Sequence, residues 1–217
     1  MSIEFSRDHA ALVLVDVQPD FMPGGALATA DGHDIVEPLQ RLLAAERFAV
    51  HAATQDWHPP DHISFASQHD GRAPMETIEL YGETQVLWPD HCVQGSHVSR
   101  LHPEFDWDCV NVIVRKGTDP RVDSYSGFRD NLGPDGHRPP TGLGGYLHER
   151  SVRNVFVCGL ARDVCVKWTA EDAADAGFAT WMLWDVTRPV TYDSDDETRR
   201  DLERSGVRIV SLEDLLG

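Results

Sequence analysis

The chain has 217 residues, 41% of them hydrophobic, which is the size of one α/β domain with a sizeable core. Its 36 Asp and Glu outnumber 19 Lys and Arg, giving a formal charge of −17 and a sequence pI near 4.8. That balance argues against nucleic acid as a partner, since such binding rests on Lys and Arg at phosphates, and against docking on an anionic membrane. Plentiful apolar residues in short blocks argue against disorder. The apolar runs, such as Ala10 to Val15, are too short to span a bilayer. The opening Met1-Ser2-Ile3-Glu4-Phe5 has neither the basic flank nor the apolar stretch of a signal peptide, so the expected location is the cytoplasm.

In chain order, Ala11 to Val15 is a continuous apolar block ending at Asp16, the pattern of a strand buried on both faces. A Pro/Gly loop follows, and residues 34–46 then carry Ile35, Val36, Leu39, Leu42 and Leu43 at helical spacing. Phe48 to Thr54 reads as a second strand and Val110 to Arg115 as a third. A short helix near Gly145 to Arg150 precedes a fourth strand, Asn154 to Cys158. A helix from about Val164 to Ala176, a strand from Phe178 to Trp184, a helix near Asp195 to Ser205 and a last strand, Val207 to Val210, complete the pattern. This alternation predicts a doubly wound parallel sheet with helices on both faces, as one domain over 1–217. Residues 57–108 and the Gly/Pro-rich 117–142 do not fit it, and loops that long are usually functional. No internal repeat is present, and the acidic cluster Asp193 to Glu197 is the one biased segment.

Ligands of such sheets bind outside the carboxyl ends of the strands. There the sequence places Asp16, then Asp56-Trp57-His58, then Arg115-Lys116, and then Gly159 through Cys165 at a helix start. Each has a plain structural alternative: a turn cap for Asp16, a solvated strand end for Lys116, and core filling for Cys165. For Cys165 the helix pattern decides against core. Val166, Ala170, Ala173 and Ala174 form the sheet-facing stripe, and Cys165 lies about 100° from it in the first turn. A thiol there meets the positive end of the helix dipole, and Lys116 nearby adds to the effect, so a lowered pKa is expected. The four cysteines, Cys92, Cys109, Cys158 and Cys165, include no CxxC pair and read as free thiols. Cys158 is expected to pack inside its strand, while Cys92 and Cys109 carry no assignment.

Five of the eleven histidines lie between His51 and His91. In extended backbone, residues two apart point to one side, so Asp56 and His58 can share an ion. With His91 in Trp88-Pro89-Asp90-His91, two imidazoles and a carboxylate suit one divalent metal (Zn, Fe or Mn) with open positions. The spacing leaves the part played by His62 open.

Asp16 with Gln18 and Phe21, DWHPPDHISFAS (56–67), WPDHCVQGS (88–96), RKGTDPRVDSYSGF (115–128) and GLARDVCVKWTAEDA (159–173) closely resemble the nicotinamidases. These belong to the isochorismatase-like cysteine hydrolases. The resemblance runs over nearly the whole chain in order, and the two metal segments are its most specific part. It implies a three-layer α/β/α fold and conversion of nicotinamide to nicotinate and ammonia, an NAD-salvage reaction. Cys165 is then the nucleophile, Asp16 its acid and base, and Lys116 the group that stabilises the thiolate. The amides of Ala161 and Cys165 form the oxyanion hole, with a cis peptide at Leu160-Ala161. One divalent metal sits on Asp56, His58 and His91 and takes the pyridine nitrogen, while Phe21, Trp88 and Tyr125 wall the ring. Pyrazinamide is a second candidate substrate, and a homo-oligomer is compatible with the family.

The family usually has a small residue, often Thr, where Arg162 stands beside Ala161. A guanidinium directed to solvent changes little, whereas one directed inward narrows the pocket or favours an anionic amide. Solvent is the expectation, since burying an unpaired Arg is costly. Two other functions stay in view: a sister cysteine amidohydrolase acting on a carbamoyl or maleamate-type amide, and a catalytically silent metal-binding protein. The metal segments argue against the first, and intact Asp16, Lys116 and Cys165 against the second.

Overall fold

A computed structural model describes residues 3–217. Its frame is a six-stranded sheet in the order β5-β2-β1-β6-β7-β8, with every neighbouring pair parallel. The strands are β1 (Ala10–Val15), β2 (Val50–Asp56), β5 (Val112–Lys116), β6 (Asn154–Leu160), β7 (Ala179–Arg188) and β8 (Arg208–Val210). The helices are α1 (Val36–Ala44), α2 (Leu143–Glu149), α3 (Lys167–Asp175), α4 (Asp195–Arg204) and α5 (Leu212–Leu216). The doubly wound parallel sheet expected from the alternation of elements is therefore present.

The two-residue period of β1 divides the core. Leu12 and Leu14 point to one face, where they meet Leu39 and Leu42 of α1, Phe156 and Cys158 of β6, and Leu212 and Leu215 of α5. Ala11, Val13 and Val15 point to the other, against Leu143 and Leu147 of α2, Val166, Ala170 and Ala173 around α3, and Leu202 of α4. With both faces covered, β1 is buried along its whole length, which is why it reads as one apolar block. Cys158 packs inside β6 as expected and is fully buried.

The chain runs outward from β1 through β2 to β5 and then returns to place β6 on the opposite side of β1. The sheet reverses direction between β1 and β6, where a crevice opens at the strands' carboxyl ends. Asp16, Asp56, Lys116 and Ala161 all lie at or just past those ends.

Three features depart from the sequence pattern. Residues 57–108 contain an antiparallel hairpin, β3 (Thr77–Leu80) and β4 (Glu83–Val86), whose four-residue strands are half exposed and alternate, at Ile78 and Leu80, over too short a run to read. The α3 helix begins at Lys167, because Arg162–Val166 before it is a π-helical turn. The short α5, absent from the sequence pattern, is held by a reciprocal capping box between Ser211 and Asp214. Among the described residues, no helix is long and apolar enough to cross a membrane.

β6 passes β1 so closely that a Cβ on Gly159, at φ +114°, would sit 2.1 Å from the Val15 carbonyl oxygen. Gly159→Ala is expected to lower stability by about 3 kcal/mol or more, through strain and displacement of β1. The check is the urea midpoint at unchanged slope. A shift below about 0.5 kcal/mol would mean that the two strands are not in this close register.

Candidate active site

Lys116 is 1% exposed, and its ammonium has three close oxygen partners. Nζ lies 2.9 Å from Asp16 Oδ2, 2.9 Å from Asp56 Oδ1 and 2.9 Å from the Ser124 carbonyl. Cys165 Sγ is 3.5 Å away on the same nitrogen. The end of β5 thus joins the ends of β1 and β2 and the turn before α3 in one buried cluster. Asp16 has φ +47°, a conformation Asp tolerates, and Thr54 braces it from β2. The Thr54 hydroxyl accepts from the Asp16 amide at 3.1 Å and donates to Oδ1 at 2.5 Å.

Burial raises the pKa of Asp16, which Lys116 opposes and the nearby Asp56 reinforces. Burial works against the charge on Lys116, but Asp16 and Asp56 outweigh it and hold its pKa well above the usual lysine range. For Cys165 the expectation of a lowered pKa is overturned. Burial pushes the thiol well up, and Lys116 pulls it down less than burial and the carboxylates of Asp16 and Asp56 raise it. The resting group is therefore a thiol beside a carboxylate of raised basicity. Proton transfer between these two groups is what a substrate would have to trigger.

On the other side of Lys116, Asp56 Oδ2 lies 2.9 Å from His58 Nε2 and 3.2 Å from His91 Nε2. The far nitrogens fix the tautomers. His58 Nδ1 donates to the Gly117 carbonyl at 3.0 Å, and His91 Nδ1 to the Pro89 carbonyl at 2.8 Å. Two imidazole lone pairs and a carboxylate oxygen thus converge, all buried, with donor atoms within 4.8 Å of one another. Such a set calls for positive charge at its centre, and Asp16 and Asp56 already share one ammonium between them. Burial disfavours protonated His58, yet Asp56 overcomes this and raises its pKa, the same demand met by a proton. Conversely, His58 and Lys116 overcome burial to hold Asp56 well below the ordinary carboxylate range. A divalent cation fits these residues.

His62 is placed differently. Its Nε2 donates to the Val122 carbonyl at 3.2 Å, its Nδ1 accepts from Ser64 Oγ at 2.7 Å, and its ring lies 4.2 Å from that of His58. His58, His62 and Asp123 also form a close set. There, however, both His62 nitrogens are engaged, and burial and His58 push its pKa down to about 4. His62 is a neutral support for the His58 ring.

Between sulfur and imidazoles lies a small cavity. Phe21, Trp88 and Tyr125 all line it, as do Ala161 and Cys165. The Trp88 indole N–H donates to the Tyr125 hydroxyl at 3.3 Å, and Gln85 of β4 donates to that hydroxyl at 3.1 Å and to Asp123 at 2.7 Å. The hairpin absent from the sequence pattern therefore anchors the aromatic wall. Leu27, Val164 and Val190 complete the apolar lining, and no motif announced them. The Leu160–Ala161 peptide is cis.

Residues 10–214 match the isochorismatase domain model. The chain belongs to the isochorismatase family. A nicotinamidase of Acinetobacter baylyi is 41% identical over 96% of this chain and 95% of its own length. The solved nicotinamidase/pyrazinamidase of Acinetobacter baumanii superposes with a TM-score of 0.89 at 42% identity, over 95% of this chain and 98% of that one. A pyrazinamidase of Pyrococcus horikoshii, solved with zinc, gives 0.74 at 31% identity, over 94% and 99%.

Arg162, expected in solvent, does not point there. It is 3% exposed and lies outside the cavity lining. Its burial is tolerated because it is paired, with Asp195 at 2.6 Å. Other supports were given no role in sequence, although Gln18 and Gly117 lie in the segments that carry the resemblance. Gln18 accepts from the Asp56 amide at 2.7 Å and donates to the Asp56 carbonyl at 2.9 Å, fixing the end of β2. Asp20 accepts from the Cys92 amide at 2.6 Å, next to His91. A Cβ on Gly117 would lie 2.3 Å from His58 Cε1, so only glycine lets the ring reach its carbonyl.

Two outcomes are expected. Iodoacetamide labelling of Cys165 is slow at neutral pH and continues to climb past the ordinary thiol pKa of about 8.5, since only the thiolate reacts. Lys116→Met removes the one cation that lowers this pKa and slows labelling further. Fast labelling that has levelled off below neutral pH would contradict the arrangement. Gly117→Ala displaces His58 and weakens Zn²⁺ affinity about 10–100-fold by chelator competition, and unchanged affinity would remove His58 from the donor set.

Proposed function

We propose that the protein hydrolyses nicotinamide to nicotinate and ammonia, using Cys165 as nucleophile and passing through a thioester. The observation that carries this reading is the pairing, in one cavity, of a cysteine–aspartate–lysine group with an Asp-His-His cation site. The nicotinamidase relatives, similar along nearly their whole length, support the same substrate. Pyrazinamide, with the same carboxamide on a diazine ring, is the second expected substrate.

In this reading Asp16 takes the thiol proton as Sγ attacks the amide carbon, and Lys116 stabilises the sulfur anion. The amide π bond opens onto oxygen, and the amides of Ala161 and Cys165 receive that charge, where one donor is worth about 3 kcal/mol. Asp16 then gives its proton to the departing nitrogen, so the C–N bond breaks and ammonia leaves. In the second half Asp16 deprotonates a water that attacks the thioester, and the sulfur departs and regains its proton. Asp56, His58 and His91 hold one divalent cation, which supplies a positive seat for the ring nitrogen. Phe21, Trp88 and Tyr125 enclose the ring and exclude water. The raised basicity of Asp16 suits the first proton step, because a stronger base takes a thiol proton more readily.

Ammonia release from nicotinamide, pyrazinamide and N-carbamoyl glycine by the zinc-loaded protein tests the assignment. Release from the two aromatic amides and not from the carbamoyl compound is expected. The reverse preference would move the protein to a sister amidohydrolase, and no release at all would leave a silent metal-binding protein. Cys165→Ala should be folded and lose activity at least about 10⁴-fold. His58→Ala should lose bound metal and raise KM about tenfold or more. A variant that keeps full metal content would show that His58 is not a ligand.

A further inference from the structure

Arg162 directly follows Ala161 and opens the π-helical turn that carries Cys165. Its guanidinium is saturated. Nη1 donates to both Asp195 oxygens, at 2.6 and 2.8 Å, and Nε to Thr187 Oγ1 at 2.8 Å. Nη2 donates to the Thr187 carbonyl at 2.8 Å and reaches the Trp184 carbonyl at 3.5 Å. The guanidinium carbon lies 4.1 Å from the Trp184 ring centroid, and Arg199 lies 3.6 Å from the same ring. The next residue continues the attachment. Asp163 accepts from the Val190 amide at 2.9 Å and from Ser194 Oγ at 2.8 Å. Two consecutive side chains thus tie the start of the turn to the end of β7 and the start of α4.

The far end of the turn is tied to its start, since the amides of Val164 and Val166 both donate to the Ala161 carbonyl, at 3.2 and 3.0 Å. Any slip of Arg162 against Asp195 therefore moves the Ala161 amide and Cys165 together. Asp56, His58, His91, Phe21, Trp88 and Tyr125 stand on other elements, so of the cavity lining that would meet the ring only Val164, in the turn, and Val190, held by Asp163, move with it. We infer that the Arg162–Asp195 pair is a positioning clamp for the oxyanion donors and the nucleophile, serving the reacting carbonyl more than the binding of the ring. The clamp rests on the thioester reading above. Arg162 touches no substrate and acts only through the turn.

Its signature is a split between ground state and transition state. A misplacement of order 1 Å at the reacting centre costs about 100-fold in rate, so Arg162→Met and Arg162→Thr should lower kcat on nicotinamide about 10–100-fold while KM moves less than about threefold. Arg162→Lys keeps the charge without the fork and should recover part of the loss. Pyridine-3-carbaldehyde supplies a second readout. Cys165 Sγ adds to its carbonyl carbon, the thiol hydrogen passes to the oxygen, and nothing leaves, so the adduct places a tetrahedral oxygen in the donor pair. Its affinity should fall in step with kcat across the variants, while that of nicotinate, measured by calorimetry, stays constant. A lowered melting temperature with wild-type kcat and aldehyde affinity, in either Arg162→Met or Arg162→Thr, would reduce the pair to a fold contact and overturn the proposal. So would equal losses in aldehyde and nicotinate affinity. If Arg162→Met does not fold, Asp195→Asn reads the same relation. If the wild type turns over no nicotinamide, the functional reading fails, and aldehyde addition to Cys165, followed by intact mass, still tests the clamp.

Discussion

One buried ammonium organises this molecule. Removing a charge from water costs several kcal/mol even after relaxation, and Lys116 is 1% exposed. It is sustained there only because β1, β2 and the 117–124 segment each turn an oxygen toward it. The same contacts impose an order on the site. Asp16 faces the sulfur, Asp56 faces the imidazoles, and the lysine between them fixes the distance from the Cys165 sulfur to the Asp-His-His cluster. The parallel sheet makes this possible by ending three neighbouring strands at one level beside the reversal of strand order.

Electrostatics then separate the two halves of the site. Around Asp56, two histidines and Lys116 overcome burial and keep the carboxylate charged, ready for a cation. Around Asp16, burial dominates and leaves a carboxylate of raised basicity beside a thiol that holds its proton. Two aspartates on adjacent strands, bound to one lysine, are thus given different chemical tasks by their surroundings.

Much of this was legible in the sequence. β1 and β6 read clearly because a strand buried on both faces is apolar throughout, and Asp16, Lys116 and Cys165 follow from where such strands end. Asp56 and His58 follow from the two-residue period of an extended chain. The thiol pKa was read with the wrong sign, since helix dipole and Lys116 are visible in sequence whereas desolvation is a property of the packed site. The β3–β4 hairpin escaped because its strands are only four residues long and half exposed, and its role depends on one side chain, Gln85, which donates to Tyr125 and Asp123. Arg162 was expected in solvent because its partner, Asp195, lies 33 residues away, and charge pairs across that separation leave no local pattern. Gln18, Asp20 and Gly117 act through backbone groups of other segments, which only the tertiary structure brings near.

The central claim, an acyl group carried on Cys165, is tested most directly by adding hydroxylamine during nicotinamide turnover. If a thioester forms, hydroxylamine competes with water for it. The product then divides between nicotinate and nicotinohydroxamic acid, ammonia release is not slowed, and neither product appears with Cys165→Ala. Sustained ammonia release with nicotinate as sole product at every hydroxylamine concentration, or hydroxamate formation by Cys165→Ala, would contradict the account.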